Sequence, residues 1–562
     1  MNWDPNLLGL IVFAPFIAAP IMFYALKWEL HESFPLYTLI YAFIAFFIWK
    51  VKVAVLAAGF LYAVATAFKI GPTLCLIAFA VATIRESKVL EPIRDQIKHL
   101  TKDPRILAIM VCWFFGSTID TFFGFSQTSL CCSFILAGCG LPPACIVTMC
   151  VLGPMVSSAF CSAAMPITIN MVDSLQGPEF FAYLRDNELT LRQFLQLVVN
   201  RVVVLHGILG MFIPWVMIMV MTRYFGRKRS WTDGFSAVPF ALFCGLAFVV
   251  PYGLMAIFGP FEFASITGGV VGGLIAVIAL KTGFLVPHDI WEFPPESEWE
   301  PNWKPEPIGV SRATMPAWKA WIVFALLLAV MIVIRVTPLA DILFSYSLEW
   351  KNVFGTNIHI RYELFYMTML YFLIIVAFCK FFYKPPSDSY REALGAWGRI
   401  LGIICSLYGT CAVFTTFIHN TSANTSGLPG MVEVLAQWFA SWPLMDYIGP
   451  MFPAMFGLIG TFAAQNIFHT ALMFSSLSFN LANALDMSAP LFLALQHTGG
   501  CAGELLSEHW LAGSGVLLGL LGWETPASHK VALPCILYVI LLGMLGILFT
   551  QLPELGNFLF LD

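Results

Sequence analysis

Trp113-Phe-Phe-Gly-Ser-Thr-Ile-Asp120-Thr-Phe-Phe-Gly-Phe-Ser126-Gln127-Thr128-Ser129 is the stretch that decides how the rest of the chain is interpreted. A Cys-rich apolar segment follows it, and then a second polar stretch that ends at Met165-Pro166-Ile-Thr-Ile-Asn170. Lipid offers no hydrogen-bond partner, so broken polar backbone is tolerated only inside protein or beside a watery cavity. An ionisable residue at that depth indicates a functional site, although helix packing by small residues is an alternative explanation for the hydroxyls.

The composition is that of a membrane protein with many spanning helices. The chain has 562 residues, of which 59% are hydrophobic and 11% charged, and its mean hydropathy is +0.82. A net charge of −4 without a long basic run argues against a nucleic-acid partner. Most of the 14 cysteines lie in apolar segments, which favours buried thiols over disulfides or a metal site. We therefore expect no metal and no cofactor.

Apolar runs of spanning length recur along the chain and are separated by basic clusters. Spans are predicted at 7–26, 34–49, 72–84, 202–221, 236–258, 262–284, 316–336, 362–383, 398–418, 448–463, 466–484 and 531–551. The run 53–68 is bracketed by lysines and is expected in the membrane interface, and 173–201 is expected to be an amphipathic connector. Basic clusters belong on the cytoplasmic side, which places the N-terminus outside. The start of the chain lacks the features of a secretory signal, so we expect the first run to be retained, in a bacterial-type inner membrane.

A Pro-, Trp- and Glu-rich loop divides the chain into two parts. The predicted organisation is a first membrane half, a cytoplasmic linker and a second membrane half, at 1–284, 285–315 and 316–562. Polar breaks interrupt both halves, at 113–170, 419–427, 460–470 and 496–509. Paired interruptions in two halves are typical of carriers built from inverted-topology repeats, with the substrate at the midplane. The expected fold is thus an all-α polytopic protein with broken helices or re-entrant hairpins, working as an elevator-like carrier.

Several of these residues carry a resemblance to a known family. Phe115, Gly116, Gly124 and Phe125 agree with the signature Phe-Gly-Ala-Phe-x-Glu-Gly-Ala-Ala-Gly-Phe-Gly-Thr-Pro, and Asp120 stands where the signature has Glu. Further similar positions are Ser87, Leu90, Glu91, Arg94, Pro142, Pro143, Pro166, Gly460, Asn466, Gly499, Gly500, Gly503 and Ser507. In order and spacing the chain resembles the lactate permeases. This resemblance implies a secondary carrier for small 2-hydroxy monocarboxylates such as lactate or glycolate, usually driven by protons.

The sequence departs from that family pattern at positions that change the charge of the expected site. The family's Lys after the second Gly-rich break is Glu504 here, and its Asn near the last break is Gln496. No Lys or Arg occurs from Ile106 to Leu184 or from Ile400 to His529, the two intervals that contain the expected site. A carboxylate would then have to be met by helix N-termini, backbone N–H groups, neutral side chains or a protonated His. A zwitterionic or cationic substrate is the alternative.

Asp120 and Glu504 are the carboxylates at the centre of the break motifs. Burial away from cations disfavours the ionised form of a carboxyl group, so either could carry a co-transported proton or bind sodium. Alternatively, each is hydrogen-bonded to neighbouring backbone. Substrate binding is expected from polar side chains on the breaks, which could equally satisfy broken helix ends. They are Ser126, Gln127, Thr128, Thr461, Gln465, Asn466, His469, Gln496, His497 and Thr498.

Two other function classes stay open at this point. A membrane redox or enzyme subunit would need histidines as haem or metal ligands, but no two of them stand four residues apart on one predicted helix. A passive channel would also tolerate the broken segments. We prefer the carrier and expect no enzymatic activity. The partners would be a small-molecule substrate, a proton or sodium ion and the lipid bilayer, with a homodimer as one option for the assembly.

Overall fold

The computed structural model describes residues 3–25, 30–124, 127–303, 312–363, 367–386, 415–507, 510–511, 514–515, 518, 520 and 524–560. These residues are predominantly helical, which confirms the prediction of an all-α membrane protein. Five described helices are long and apolar enough to cross a membrane, or six if one bent pair is counted as a span. Below, "first half" and "second half" mean the residues before and after the linker 285–315.

The first half begins with four helices that pack beside the site. They are α1 Pro5–Ala25, α2 Leu30–Phe47, α3 Val53–Glu86 and α4 Leu90–Lys98. The prediction that 53–68 and 72–84 are two separate segments was wrong, because α3 is one helix of 34 residues with Pro72 inside it. A proline removes one backbone hydrogen bond, which neighbouring groups in a bundle can replace, so it need not end a helix there.

The helices that carry the first break come next. They are α5 at 104–120, α6 Gln127–Gly138, α7 Pro143–Met155 and α8 Ser157–Ser174. The axes of α7 and α8 are bent by 58° at Val156. Widened π-helical turns occur in both broken helices, at Ile109–Phe115 in α5 and at Pro166–Met171 in α8. Such turns are rare and concentrate at functional sites.

The first half ends with a surface helix and three long spans. They are α9 Pro178–Asp186, α10 Leu191–Phe225, α11 Thr232–Phe258 and α12 Phe261–Thr282. The span predicted at 202–221 begins already at Leu191. The last residues of the predicted connector, 173–201, therefore belong to the helix α10. Thr190 causes this start, because its side chain accepts the backbone N–H of Gln193 while the Gln193 side chain accepts the backbone N–H of Thr190.

The described part of the linker packs against the ends of α5 and α10. Arg105 forms a buried ion pair with Asp103 at 2.7 Å and also donates to the carbonyl oxygen of Asp289 in the linker. Trp303, also in the linker, is buried against Phe225. The linker therefore covers one end of the first half.

The second half contains a small hairpin and a compact group of helices. Its elements are α13 Ala317–Val336, α14 Leu339–Ser345, β1 Ser347–Trp350, β2 Ile360–Glu363, α15 Met367–Phe382, α16 Met431–Ala440, α17 Met451–Ala464, α18 Ile467–Ala484, α19 Ala489–Gly503, α20 Glu524–Gln551 and α21 Pro553–Phe560. The antiparallel β1–β2 pair, with Ser347 opposite Glu363, was not predicted and occupies the start of the span expected at 362–383. The span expected at 398–418 lies largely outside the described residues.

The helices α17 and α19 cross with their backbones in contact. A Cβ atom on Gly457 would lie 2.0 Å from the carbonyl oxygen of Gln496, and one on Gly499 would lie 2.2 Å from that of Ala454. Only glycine permits this approach, as in other tightly packed membrane helices. The crossing brings Gln496 and His497 next to the break between α17 and α18. Helix α19 was predicted only as a polar break.

Candidate functional site

Asp120 lies at the C-terminal end of α5 and is fully buried. Its Oδ1 accepts a hydrogen bond from the Thr128 hydroxyl at 2.9 Å, and its Oδ2 accepts one from the Ser157 hydroxyl at 3.1 Å. Thr128 is on α6 and Ser157 on α8, so one carboxyl group joins three elements of the first half. Both donors are neutral hydroxyls, which can hydrogen-bond either protonation state of the carboxyl.

A strained turn in α8 supports this arrangement. Ser162, Ala163 and Ala164 all have left-handed backbone, with φ of 47°, 59° and 59°. Each such residue costs about 1–3 kcal/mol, and strain of this kind clusters at functional sites. Two hydrogen bonds to the residues just after Asp120 hold the turn. The Ala163 N–H donates to the Thr121 carbonyl at 2.8 Å, and the Ser162 hydroxyl donates to the Phe123 carbonyl at 2.9 Å.

The break between α17 and α18 is short, and several hydrogen bonds hold it in place. Gln465 has φ of 60° and ends α17, and the Asn466 side chain caps α18 by accepting the Phe468 N–H at 2.8 Å. The Ser507 hydroxyl donates to the Gln465 carbonyl at 2.8 Å. Thr461 and Thr470 join the two helices through their hydroxyls at 2.9 Å. These contacts hold the break in place. The polar residues of the break therefore satisfy the broken helix ends, which the sequence allowed as the alternative to substrate binding.

Glu504 follows α19 and is buried at the N-terminus of α18. Its carboxyl group accepts the Ile467 backbone N–H at 3.4 Å, an arrangement that the helix dipole favours for a negative charge. The Ser158 hydroxyl of the first half is also within hydrogen-bonding reach of this carboxyl group. Asp120 lies in the same region, because Ser157, the residue before Ser158, donates to its carboxyl group. The two predicted ion-coupling residues thus come from opposite halves and share one buried region.

His497 links the halves directly. Its Nε2 lies 3.0 Å from the carbonyl oxygen of Ala159 in α8, and since a carbonyl only accepts, Nε2 carries the proton. Gln496 beside it is held within the second half, accepting from the Ser475 hydroxyl at 3.1 Å and donating to the Thr470 carbonyl at 3.4 Å. His469 is buried on α18.

Several buried polar atoms near the breaks have no hydrogen-bond partner among the described residues. They are Ser117 Oγ, Gln127 Oε1, His497 Nδ1 and Thr498 Oγ1. Buried polar groups are nearly always paired in folded proteins, so such a group calls for water or a ligand. The structure thus brings Gln127, Thr128, Asp120, His497, Thr498 and Glu504 around the two breaks. Ser126 lies outside the described residues.

The predicted break 419–427 has a different setting. Asn424 stabilises its turn by donating to the carbonyl oxygens of Thr421 and Leu428, and Thr425 donates to the Lys50 carbonyl. His419 lines an open cavity of about 430 Å³ together with residues of α9, α18 and the β1–β2 connection. Carboxylates of Asp173, Glu179 and Glu433 also line this cavity. Its volume is ample for a three-carbon acid.

The expectation of a site without a nearby cation was wrong. Arg335, near the end of α13, donates to the carbonyl oxygen of Ala163 in the strained turn at 3.5 Å. It lies outside both cation-free intervals and reaches the first break only through folding. The available signal was an arginine one residue before the end of an apolar span. Ser157, Ser158 and Ser162 were not predicted as site residues either, although they lie inside the first break, 113–170.

The sequence is similar to those of known proteins along most of its length. The chain is 23% identical over 491 residues to a putative L-lactate permease of Haemophilus influenzae, covering 81% of this chain and 82% of that protein. It is 21% identical over 470 residues to an L-lactate permease of Bacillus subtilis, covering 77% and 76% of the two chains. The model of the L-lactate permease family matches residues 10–552. With buried, broken helices of both halves meeting inside a polytopic membrane protein, the chain belongs to the L-lactate permease family.

Proposed function

We propose that this protein is a secondary active transporter that moves a small monocarboxylate, such as lactate or glycolate, together with a proton or a sodium ion. Membership of the permease family supports transport, and the names of the relatives support lactate as the first substrate to test. The observation that carries the coupling is that two consecutive serines of α8 contact two buried carboxyls from opposite halves, Ser157 that of Asp120 and Ser158 that of Glu504.

Ion coupling follows from the charges in that region. Two carboxylates that repel each other away from bulk water favour a bound proton or sodium ion, which removes part of the repulsion. The hydroxyls of Thr128 and Ser157 hydrogen-bond Asp120, and the Ile467 N–H hydrogen-bonds Glu504, so both carboxyls are held inside the protein in this structure. Binding of the ion would therefore stabilise the arrangement in which the two halves meet.

Substrate recognition would use the ends of the broken helices. Helices α6 and α18 both begin at a break, and helix N-termini in carriers of this kind point at anionic groups of the substrate. Gln127 and Thr128 lie in the first turn of α6, and Thr498 and His497 present unpartnered atoms from α19. These side chains can donate to, or accept from, the hydroxyl of a 2-hydroxy acid.

Movement would follow the repeat organisation. In the first half the order is helix, break, helix, turn, helix and break, at α5–α8, and in the second half the same order occurs from α17 to the residues after α19. This order supports two inverted repeats and an elevator-like movement of the segments around the breaks. An N-terminus on the outside of a bacterial-type inner membrane, and a homodimeric assembly, stay predictions.

Uptake of labelled L-lactate into proteoliposomes tests the function. An inwardly directed proton gradient and an inwardly directed sodium gradient should be imposed separately on the purified protein. We expect saturable accumulation above equilibrium with one of the two gradients, and also rapid exchange with internal unlabelled lactate. Flux that never saturates and shows no exchange would indicate a channel and would overturn the proposal.

A further inference from the structure

The end of α13 brings a guanidinium group into the first break. Arg335 is 16% exposed, and its Nη2 donates to the Ala163 carbonyl at 3.5 Å. The Ala163 N–H in turn donates to the carbonyl of Thr121, the residue after Asp120. A positive charge from the second half is therefore connected through one residue, Ala163, to the neighbour of a buried carboxylate.

The guanidinium group is only loosely satisfied. Its Nη1 lies 3.8 Å from the Glu262 carboxylate, and its buried Nε has no partner among the described residues. Charge-assisted N–H to carboxylate bonds are normally about 2.7–2.9 Å long, so these contacts are long for an arginine with a settled structural partner. The Nε–H donor of Arg335 therefore has no acceptor among the described residues.

A buried tyrosine hydroxyl lies beside the same guanidinium group. Tyr371 on α15 is 2% exposed, and its hydroxyl lies beside the Arg335 guanidinium. It forms no hydrogen bond of normal geometry with any described residue. Glu262 Oε2 is buried and likewise without such a bond in the described part of the chain. An arginine whose Nε–H lacks an acceptor and whose other contacts are long, beside a tyrosine hydroxyl without a partner of normal geometry among the described residues, matches the planar carboxylate of a small acid.

We propose that Arg335 and Tyr371 bind the carboxylate of the transported acid, and that Glu262 pairs with Arg335 while the site is empty. This inference rests on the proposed function, and it assigns the carboxylate of the substrate to these two side chains instead of to the helix N-termini. The carboxylate would accept two hydrogen bonds from Arg335 and one from Tyr371. Arrival of the anion weakens the Arg335–Glu262 pair, since both carboxylates compete for one guanidinium.

The test compares Arg335→Gln with Arg192→Gln in the liposome assay. Arg192 is a matched control because it lies 3.9 Å from the same Glu262 carboxylate but is 69% exposed. Arg335→Gln should raise the KM for lactate by at least about 30-fold, which is typical for loss of a buried charged hydrogen-bond partner, whereas Arg192→Gln should change it less than about threefold. Tyr371→Phe should raise the KM by about threefold to tenfold, the usual effect of one lost hydrogen bond.

Lactamide, the uncharged amide of lactate, separates binding from folding effects. The wild type should prefer lactate to lactamide as a competitor of labelled lactate, and Arg335→Gln should lose that preference. Glu262→Gln should keep or lower the KM, because it removes the competing carboxylate. If Arg335 only anchors the fold, Glu262→Gln and Arg335→Gln would damage uptake equally and leave the lactate preference unchanged, which would overturn the inference.

Arg335→Gln leaves Glu262 without its nearest cation and could fail to fold. The double variant Glu262→Gln/Arg335→Gln removes both charges and serves in that case, with the same loss of lactate preference expected. If the wild type transports lactate and either variant keeps its preference for lactate, the inference fails while the proposed function stands. If the wild type accumulates no lactate under either gradient, the proposed function itself fails.

Discussion

His497 Nε2 donates a hydrogen bond to the carbonyl oxygen of Ala159 across 3.0 Å, and this contact joins α19 of the second half to α8 of the first. Both residues are fully buried. A contact of this kind transmits any displacement of one break to the other. It also fixes the proton on Nε2 and leaves Nδ1 as an acceptor.

Replacement of His497 by Ala should therefore destabilise the protein. It leaves the buried Ala159 carbonyl without a partner and opens a cavity, so the cost should be about 2–4 kcal/mol. Thermal unfolding in detergent, followed by tryptophan fluorescence, measures the change. His288→Ala is the control, because His288 is exposed in the linker and should leave the melting temperature unchanged. Equal melting temperatures for the two variants would show that the His497 contact carries no stability.

Glycine should relieve the strain in the turn at 162–164. Ala163 has left-handed backbone, so Ala163→Gly should raise stability by up to about 1 kcal/mol, whereas Ala163→Val should lower it. Ala247→Gly in the middle of α11 is the control with the opposite sign, since glycine costs about 1 kcal/mol in a helix interior. Chemical or thermal unfolding of the three variants provides the comparison. A destabilised Ala163→Gly would show that the turn is not strained.

The crossing of α17 and α19 should not tolerate a methyl group. Gly457→Ala places a Cβ against the Gln496 backbone, which cannot move aside like a flexible side chain, so we expect a loss of about 1–3 kcal/mol or more. Uptake should fall as well, because the same shift displaces His497. Gly253→Ala in α11 is the matched control, as its Cβ would meet open space and alanine favours helix. A Gly457→Ala protein with normal melting temperature and uptake would contradict the close crossing.

Much of the fold could be predicted because lipid imposes strong rules on sequence. The apolar runs that form α10, α11, α12, α13 and α20 stand out by length alone. Asp120 stands out as a carboxylate in the apolar surroundings of the first break. The helix α19 was missed because its residues, Gln496 to Gly503, combine amides, hydroxyls and glycines that usually mark a break. Inside the protein, Gln496 pairs with α18 and His497 Nε2 with α8, and the glycines serve helix packing.

The site was harder to predict wherever it depends on contacts across the chain. Asp120 and Glu504 were found from their own surroundings in the sequence, and their approach followed from the repeat hypothesis. The local signal of Arg335, an arginine near the end of an apolar span, does not reveal its partner, because the carbonyl of Ala163 lies 172 residues away in the chain. Ser157 looked like an ordinary packing residue, and only the fold places its hydroxyl on Asp120.

The measurement that tests the central claim most directly compares lactate exchange with lactate accumulation in Asp120→Asn and Glu504→Gln. Both substitutions keep the size of the side chain and remove the ionisable group, and Asp446→Asn, at an exposed position, is the control. If the two carboxyls couple the ion, each variant should still exchange labelled for unlabelled lactate at equal concentrations but should lose accumulation driven by a proton or sodium gradient. Accumulation at the wild-type level in both variants would contradict the account.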